Sequence, residues 1–407
     1  MDLTSVKNLL LKEEIEVTDN QKIVEEKSRD FSHTSPFLVN LLKKYRGSLV
    51  VYPKNEEEVI KVVEIALENH VPLVPRAGGK NNVGGIIPLK GGIIIDMTKM
   101  NKILNEDDEE IYCEYSLPFF NGRMTFSPRV YPSTYDEGAT VGGFFSGGSG
   151  GIGEFKYGRN WDYVTEIRMV NPKGKITTLI GGDVKIAAHA EGTTGIVTRL
   201  RVQKREEGRK KEYPYLIEFD SLHDALKFVE SLYDMTNVYH VTLRSPTMSK
   251  LSENITGVSS EKWNVLVVTE DEENIGNRKA GELVWSKRFL FFGGTITTAM
   301  GILKKRLYYI VKDIPLDEIE EKLEKVKNLG IIADVEFDVA LIAHPFILTE
   351  SEEQYEEIYK ILGGTNFDLN SIKINSRLKP EHIRKIIQYK KMYDKEDLFN
   401  PGKVDFQ

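Results

Sequence analysis

Cysteine is almost absent from this chain, since Cys113 is the single cysteine among 407 residues. One cysteine cannot form an internal disulfide, a C-x-x-C pair or the thiolate ligand set of an iron–sulfur cluster. Any electrons that the protein collects would therefore have to leave through a separate partner.

Long apolar runs and an excess of basic residues are also missing. The uncharged run from Phe289 to Leu303 falls short of the roughly 20 residues that a membrane-spanning helix needs, and the first turns are too charged for a signal peptide. The net charge of −7 indicates no basic face for nucleic acid. We expect a cytoplasmic protein that neither spans a membrane nor binds nucleic acid, with a peripheral membrane association left open.

Glycine, in contrast, is concentrated between Glu137 and Asn160. A cluster this dense indicates backbone that must touch a ligand, because successive exposed N–H groups form a concave nest for an anion. Gly148 to Gly153 spells G-x-G-x-x-G, but an alternating strand, Tyr163 to Val170, soon follows, and we expect no helix after the motif. A Rossmann site is therefore not predicted, and Gly79-Lys80 lacks the Ser or Thr of a P-loop.

Two further glycine loops follow predicted strands. A strand at 49–53, a helix capped by Asn55 and a strand at 73–75 form a βαβ unit that opens into the loop 76–85. Glu191 to Gly195 then leads into an alternating strand at 196–202. Three loops at strand ends in one α/β region favour a phosphate-bearing ligand.

The composition changes at Arg205 to Tyr213, and strands and helices without glycine loops follow. This pattern predicts an antiparallel sheet covered on one side by helices, with one of its strands at Val335 to Ala343. The predicted domains are an N-terminal helical segment (1–30), a first domain (31–205, with subdomains of about 31–105 and 106–205), a second domain (206–375) and a C-terminal return to the first domain (376–407).

Five motifs resemble those of flavoproteins of the vanillyl-alcohol-oxidase type, in the branch of glycolate oxidase and D-lactate dehydrogenase. They occur in the order of that family, from about Ser48 to Val404. The motifs are Pro75 to Gly79, Gly138 to Gly143, Tyr157-Gly158, Glu191 to Val197 and Asn400 to Lys403. The resemblance implies an α+β fold, with a two-subdomain PCMH-type FAD-binding domain and a ferredoxin-like α+β cap.

The resemblance also implies which residues hold FAD. Residues 76–82 and 140–151 would wrap the diphosphate and adenosine, and Ile196 and Val197 would lie beside the flavin. Lys80 stands where relatives with an attached flavin have histidine, so non-covalent binding is expected. The full predicted set is Arg76, Ala77, Gly78, Gly79, Lys80, Asn81, Asn82, Thr140, Gly142, Gly143, Ser146, Gly147, Gly148, Ser149, Gly150, Tyr157, Glu191, Gly192, Ile196, Val197 and Asn400.

The chemistry implied by the resemblance is hydride transfer from a secondary alcohol carbon to flavin N5, with a base that takes the hydroxyl proton. Trp285 to Arg288 resembles a W-x-x-R motif whose arginine grips the substrate carboxylate. His344 is the candidate base, and Tyr309 or the adjacent Tyr308 is a substitute. His189 is interpreted as structural.

The metal pattern of the branch is broken in this chain. Apolar residues near Val339 and Ile342 replace a histidine and an asparagine of the family motif, and the later Glu-His-Gly is replaced around Asn366 to Asn370. We therefore predict no metal site and do not carry over a metal-assisted mechanism.

Three functions remain open at this stage. The first is an FAD-dependent dehydrogenase of a small 2-hydroxy acid, similar to D-lactate or glycolate, that passes electrons to a quinone, an electron-transfer flavoprotein or a separate iron–sulfur subunit. The second is a flavin-carrying relay subunit of a larger oxidoreductase complex, without a substrate site of its own. The third is a sugar-lactone or alditol oxidase.

Overall fold

A computed structural model describes residues 3–133, 138–206, 211–258, 260–290, 292–363 and 367–406. Three positions used in the sequence interpretation lie outside these ranges: Glu137, Asn366 and the segment 207–210 within the predicted domain boundary.

A four-stranded sheet forms the first layer, in the order β1-β2-β4-β3. Its core is parallel, because β2 and β3 both pair with β4 in parallel. The predicted strand–helix–strand unit is confirmed, and the Asn55 side chain caps its helix by accepting from the Glu58 backbone N–H. The elements are α1 (Leu3–Lys12), β1 (Val17–Thr18), α2 (Gln21–Lys27), α3 (Pro36–Leu42), β2 (Leu49–Val51), α4 (Glu56–Glu68), β3 (Leu73–Arg76) and β4 (Ile93–Asp96), with 3₁₀ turns at Phe31–Thr34 and Met97–Lys99.

An antiparallel five-stranded sheet forms the second layer, in the order β10-β9-β11-β6-β5. The glycine-rich stretch lies between β6 and β9. The expectation that no helix follows Gly153 is wrong, because a one-turn helix begins at Glu154. The elements are β5 (Ile103–Glu106), β6 (Glu110–Glu114), β7 (Tyr131–Pro132), α5 (Val141–Gly147), β8 (Gly151–Ile152), α6 (Glu154–Tyr157), β9 (Val164–Val170), β10 (Ile176–Ile180) and β11 (Ile196–Gln203), with a 3₁₀ helix at Gly181–Ile186.

The second half of the chain builds an antiparallel sheet that we call the cap sheet, in the order β12-β14-β13-β17-β18-β15, with β16 beside β18. Its strands are β12 (Tyr213–Phe219), β13 (Val238–Arg244), β14 (Trp263–Thr269), β15 (Tyr308–Val311), β16 (Ile314–Pro315), β17 (Ile331–Phe337) and β18 (Ile342–Thr349). Its helices are α7 (Leu222–Leu232), α8 (Pro246–Leu251), α9 (Glu253–Thr256), α10 (Arg278–Trp285), α11 (Thr295–Leu303), α12 (Leu316–Val326) and α13 (Glu352–Leu362), with 3₁₀ turns at Arg288–Leu290 and Phe292–Gly294.

The two faces of the cap sheet differ in chemistry. Helices α7, α12 and α13 cover one face through a buried apolar cluster that includes Val241, Val335 and Phe337. The neighbouring residues on β13 and β17, such as Thr242 and Glu336, point to the opposite face because side chains alternate along a strand. That face, which we call the polar face because it carries buried acids, also has apolar residues such as Ala333 and Phe346, and these pack against α8 and α11. The prediction of helices on one side only is therefore wrong.

The predicted single strand from Val335 to Ala343 is also wrong, because a tight turn divides it into β17 and β18. The Asp338 carboxylate closes this turn by accepting hydrogen bonds from the backbone N–H groups of Ala340 and Ile342. Leu341 takes a left-handed backbone conformation with φ of 59°. The turn contains no glycine or proline, which explains why the sequence pattern concealed it.

The C-terminal part returns to the first sheet. After α14 (Pro380–Tyr393) and a 3₁₀ turn at Ile374–Ser376 that precedes it, the chain pairs with β3, where the Leu73 N–H donates to the Leu398 carbonyl and the Asn400 N–H donates to the Leu73 carbonyl. Lys390 fixes this segment from a fully buried position. Its ammonium contacts the Asp394 carboxylate at 2.5 Å and donates to the Phe399 carbonyl at 2.9 Å.

We expect Lys390→Ala to destabilise the protein by about 3–5 kcal/mol, because the substitution leaves the Asp394 carboxylate buried without its cation. Thermal unfolding measures the change as a lower Tm. Lys395→Ala serves as the matched control, since Lys395 is exposed on the same segment. An equal Tm for the two variants would show that Lys390 does not hold the C-terminal segment.

Candidate active site

A deep cleft of about 880 Å³, counted with its open mouth, lies where the glycine loops meet. Backbone and small side chains form most of its wall, with a few amides and hydroxyls. The lining residues are Pro75, Ala77, Gly78, Gly79, Lys80, Asn81, Asn82, Gly85, Ile86, Tyr115, Pro132, Gly138, Ala139, Thr140, Gly143, Phe144, Ser146, Gly147, Ser149 and Glu191.

The first glycine loop and the glycine-rich stretch touch through their backbones. A Cβ placed on Gly78 would lie 1.6 Å from the carbonyl oxygen of Gly138. The Asn81 side chain shapes the first loop, because its Oδ1 accepts from the backbone N–H groups of Val83 and Gly85, both at 2.9 Å. The resulting surface is backbone-rich and narrow, as a diphosphate group requires.

Three buried polar side chains, those of Arg377, Glu191 and Asn400, close the back of the cleft. Arg377 donates to Glu191 Oε1 at 2.5 Å, and Asn400 Nδ2 donates to the carbonyls of Gly85 and Glu191, both at 2.7 Å. Burial raises the pKa of Glu191 even though Arg377 opposes the rise. The other carboxylate oxygen of Glu191, Oε2, is buried without a hydrogen-bond partner, so a polar ligand group at this wall would satisfy it.

A second cavity of about 520 Å³ continues from the cleft toward the cap sheet. The two share Asn82, Gly147 and Ser149. The other lining residues of the second cavity are Val83, Ser133, Gly150, His189, Gly293, Ile296, Glu336, Phe346, Phe367, Leu369 and Arg377. The cavity therefore joins the glycine-rich stretch to the polar face of the cap sheet.

Three ionisable side chains face this second cavity. Burial raises the pKa of Glu336 to about 8, and burial lowers the pKa of His189 well below its usual value. The Arg377 guanidinium keeps its Nε without a hydrogen-bond partner. One cation, one neutral imidazole and one carboxyl group of raised pKa make this cavity chemically suited to binding a small anion and moving a proton.

The structure brings together a little over half of the predicted cofactor residues. Those that line the cleft are Ala77, Gly78, Gly79, Lys80, Asn81, Asn82, Thr140, Gly143, Ser146, Gly147, Ser149 and Glu191. Gly150 lines the second cavity instead.

The remaining predicted cofactor residues contact protein groups rather than the cleft. Arg76 donates to backbone carbonyls of the N-terminal segment, and Tyr157 donates to Glu270. Gly142, Gly148 and Gly192 pack against Tyr115, His189 and Pro75. Ile196 and Val197 are buried in β11. Asn400 lies behind the cleft wall and donates hydrogen bonds to the carbonyls of Gly85 and Glu191. These eight residues support the cleft without lining it, and direct cofactor contact for them stays a prediction.

Arg288 lies outside both cavities. Its guanidinium packs 4.8 Å from the Phe289 ring centroid and 5.9 Å from that of Tyr131, and Nη1 donates to the Trp285 carbonyl at 3.4 Å. The residues after Tyr131, Pro132 and Ser133, line the two cavities. Arg288 therefore lines neither cavity, and a role in gripping a carboxylate stays a prediction.

His344, the predicted base, sits in a buried ionic cluster. Its Nδ1 lies 2.9 Å from Asp313 Oδ1, and its Nε2 lies 3.5 Å from Asp338 Oδ2 and 3.5 Å from Arg159 Nη2. Burial and Arg159 lower the pKa of His344, but the two carboxylates outweigh them and raise it to about 9. A protonated imidazole cannot accept a proton at neutral pH, so these surroundings disfavour His344 as the base.

Tyr309 is equally remote from the cavities. Its side chain is buried against the N-terminal segment near Thr34 and Ser35, and burial raises its pKa to about 12. A hydroxyl with this pKa stays protonated, and it lines neither cavity. The surroundings therefore disfavour Tyr309 as the base. Within the described ranges, no group of three or more His, Cys, Asp or Glu side chains is arranged to hold a metal ion.

Several residues of the site were not found from the sequence. Tyr115 lines the cleft although it belongs to no motif, and Phe144 lines it within the predicted range 140–151 but was not named as a site residue. Glu336 carried a signal that went unused, since Asp334, Glu336 and Asp338 alternate along an otherwise apolar strand and so must share one buried face. Arg377 had no comparable signal, because its partner Glu191 lies far away in sequence.

The family model described as "FAD binding domain" matches residues 47–116 and 123–180. These two segments contain both backbone-contacting loops of the cleft. This part of the chain is therefore similar to an FAD-binding domain.

Two D-lactate dehydrogenases are among the proteins to which the chain is similar. The chain is 24% identical to the one from Archaeoglobus fulgidus over 412 residues, which cover 88% of this chain and 91% of that protein. It is 30% identical to the one from Anaerostipes hadrus over 224 residues, which cover 51% of this chain and 46% of that protein. The second match therefore spans less than half of the Anaerostipes protein.

Among solved structures, 4-ethylphenol oxidase from Gulosibacter chungangensis is similar to this chain. The TM-score is 0.70 at 14% sequence identity, and the likeness covers 98% of this chain and 96% of that one. At this identity the likeness shows the fold alone. The predicted α+β fold with a PCMH-type FAD-binding domain is confirmed, whereas the predicted domain limits stay a prediction.

The residues present fit FAD. The backbone-rich contact of the two loops suits the diphosphate, and the unpartnered Oε2 of Glu191 offers an acceptor to a polar cofactor group. The protein would therefore hold FAD mainly through the main chain and the amides and hydroxyls of the cleft.

We expect Gly78→Ala to weaken FAD binding, because the added methyl group would overlap the Gly138 carbonyl and push the two loops apart. Overpacking of this kind costs about 1–3 kcal/mol, or roughly 5- to 150-fold in Kd if it falls on binding. Titration of FAD into the apoprotein measures the change. Gly182→Ala is the matched control, since a Cβ there meets nothing within 4 Å, and an equal Kd for the two variants would contradict the loop contact.

Proposed function

We propose that this protein is an FAD-dependent dehydrogenase that oxidises a small 2-hydroxy acid to the corresponding keto acid. The observation that carries the proposal is the continuity between the glycine-walled cleft and the second cavity, which has an arginine, a histidine and a glutamate in its wall. The D-lactate dehydrogenases among its relatives support this substrate class.

The second cavity is suited to a small anionic substrate. Its apolar side, formed by Ile296, Phe346 and Leu369, can exclude water from a short carbon chain. The Arg377 guanidinium supplies positive charge at the opposite wall, although Glu191 neutralises part of it. Arg377 is thus a second candidate for holding the substrate carboxylate, beside Arg288.

FAD, when bound in the cleft, supplies the hydride acceptor. The residues of the chain position the substrate, keep the cavity dry and receive the hydroxyl proton. Electrons then pass to a separate acceptor, because the single cysteine cannot hold an iron–sulfur cluster. No helix within the described residues is long and apolar enough to cross a membrane, and a cytoplasmic location is part of the proposal.

We expect one of a panel of hydroxy acids to bleach the long-wavelength flavin absorbance of the FAD-loaded protein under anaerobic conditions. The panel contains D-lactate, L-lactate, glycolate and 2-hydroxyglutarate, with sugar lactones as the competing class. Bleaching by D-lactate with little response to L-lactate would also define the stereochemistry. A protein that binds FAD and is reduced by none of these compounds would contradict the proposal and favour a relay subunit.

We also propose that FAD is bound without a covalent bond. Lys80 lines the cleft at the position where relatives with an attached flavin carry histidine. Acid or guanidinium denaturation should therefore release all of the flavin into the supernatant, measured by its absorbance after the protein is removed. Yellow colour that stays with the denatured protein would show a covalent bond.

A further inference from the structure

Strand β17 and the turn that follows it carry three buried acids, Asp334, Glu336 and Asp338, on the polar face of the cap sheet. Two of them are paired with arginine. Arg244 contacts Asp334 through two hydrogen bonds of 2.7 and 2.6 Å, and Asp338 lies 3.6 Å from Arg159. Glu336 stands between them, and no cation among the described residues forms an ion pair with its carboxylate.

The Glu336 carboxylate faces the second cavity. The residue is 5% exposed, and its Oε1 is buried without a hydrogen-bond partner. Oε2 lies 3.6 Å from the position that a Cβ on Gly150 would occupy, and Glu154 Oε2 lies 3.7 Å from the same position. The two carboxyl groups therefore converge on Gly150, a backbone position of the glycine-rich stretch next to the cleft.

We propose that the Glu336 carboxylate accepts the hydroxyl proton of the substrate in the second cavity, an inference that rests on the proposed function. The substrate O–H bond breaks and its proton joins Glu336, while the adjacent C–H hydrogen leaves with its electron pair to the bound FAD as oxidant. The carbon–oxygen double bond forms, so that a 2-hydroxy acid becomes a 2-keto acid.

The charges around Glu336 suit this role. Burial raises its pKa first, and the like charge of Glu154 adds to the rise, whereas His344 lowers it; the result is a pKa of about 8. A base is most effective when its pKa lies near the working pH. Asp334 is the other acid on the same strand as Glu336. The charged or titratable groups that surround Glu336 from the other elements are Glu154, Asp338, His344, His189 and Arg377.

His189 is the competing acceptor in the same cavity. Its imidazole stacks near Trp161 and Phe367, and a Cβ on Gly148 would lie 2.0 Å from its Cγ, so the ring is tightly enclosed. Burial lowers its pKa well below the usual value, which makes it a weak proton acceptor. Glu336 is the better acceptor of the two.

A first test measures how the protonation of Glu336 changes the stability of the folded apoprotein, and it needs neither FAD nor substrate. A carboxyl group whose pKa is raised from 4.5 to about 8 contributes stability that is full below 4.5 and is lost as the pH rises through 8. The Tm of apoprotein Glu336→Gln minus that of wild type should therefore increase from pH 5 to pH 8. The exposed Glu357→Gln should give a flat difference. A flat difference for Glu336→Gln would overturn the proposal.

A second test uses anaerobic stopped-flow reduction of the FAD-loaded protein by D-lactate and the other hydroxy acids of the panel. Glu336→Gln should slow the limiting rate of reduction about 10²- to 10⁴-fold with little change in the substrate concentration for half-saturation, and Glu336→Asp should recover part of the rate. The wild-type rate should rise with pH toward a plateau above about 8. Glu154→Gln should move that midpoint to lower pH, because it removes the neighbouring like charge.

The two proposals fail in different ways. A wild-type protein that no hydroxy acid reduces would refute the proposed function together with the role of Glu336. A wild type that is reduced rapidly, with Glu336→Gln reduced at the same rate, would refute only the role of Glu336. A slower Glu336→Gln with unchanged FAD affinity and the expected pH dependence of its Tm supports it.

Discussion

The contact between the Gly78 backbone and the Gly138 carbonyl is the constraint on which the cleft depends. No side chain fits between the two loops, so they approach each other more closely than any other residue type would permit. This close approach exposes main-chain N–H groups on both sides of one narrow groove. Asn81 and the strands β3 and β6 then hold the loops in place, and the rest of the first two sheets serves as their support.

The second organising feature is the burial of charge on the polar face of the cap sheet. Ion pairs buried to this degree contribute little net stability, because desolvation offsets most of their attraction. These ion pairs nevertheless fix the position of the cap sheet against the glycine-rich stretch. Arg159 belongs to the glycine-rich stretch, and its partners Asp313 and Asp338, together with His344, belong to the cap. Burying these charges costs desolvation free energy. The protein tolerates this cost because, on our proposal, the same face holds the anionic substrate and the group that accepts its proton.

The sequence predicted the FAD-binding half well because its signals are local. The Asn55 cap, which accepts from the Glu58 N–H, and the glycine loops each determine their own conformation within a few residues. The cap was harder, because the turn at Asp338 to Leu341 has no turn residue of the usual kind and merged two strands into one. That error also obscured the pairing of Glu336 with His344 across the hairpin.

The catalytic candidates show the limit of motif-based inference more clearly. Arg288, His344 and Tyr309 were selected by resemblance or residue type, yet their positions depend on tertiary contacts that no local pattern encodes. Arg377 reaches the cavity only because the chain folds back from the cap, and Glu191 lies 186 positions earlier in sequence. Only the alternation of acids in β17 was readable beforehand as a buried polar face.

Asn400 and Arg377 support the cleft from the end of the chain, whereas the loops that they brace lie far earlier. During synthesis on the ribosome, the first two sheets therefore emerge long before the residues that close the back of the cleft. The cofactor pocket remains incomplete until the cap has been made and the segment Leu398–Asn400 has paired with β3. A fragment that contains only the first two sheets would therefore have both glycine loops but would lack the side chains that close the back of the cleft.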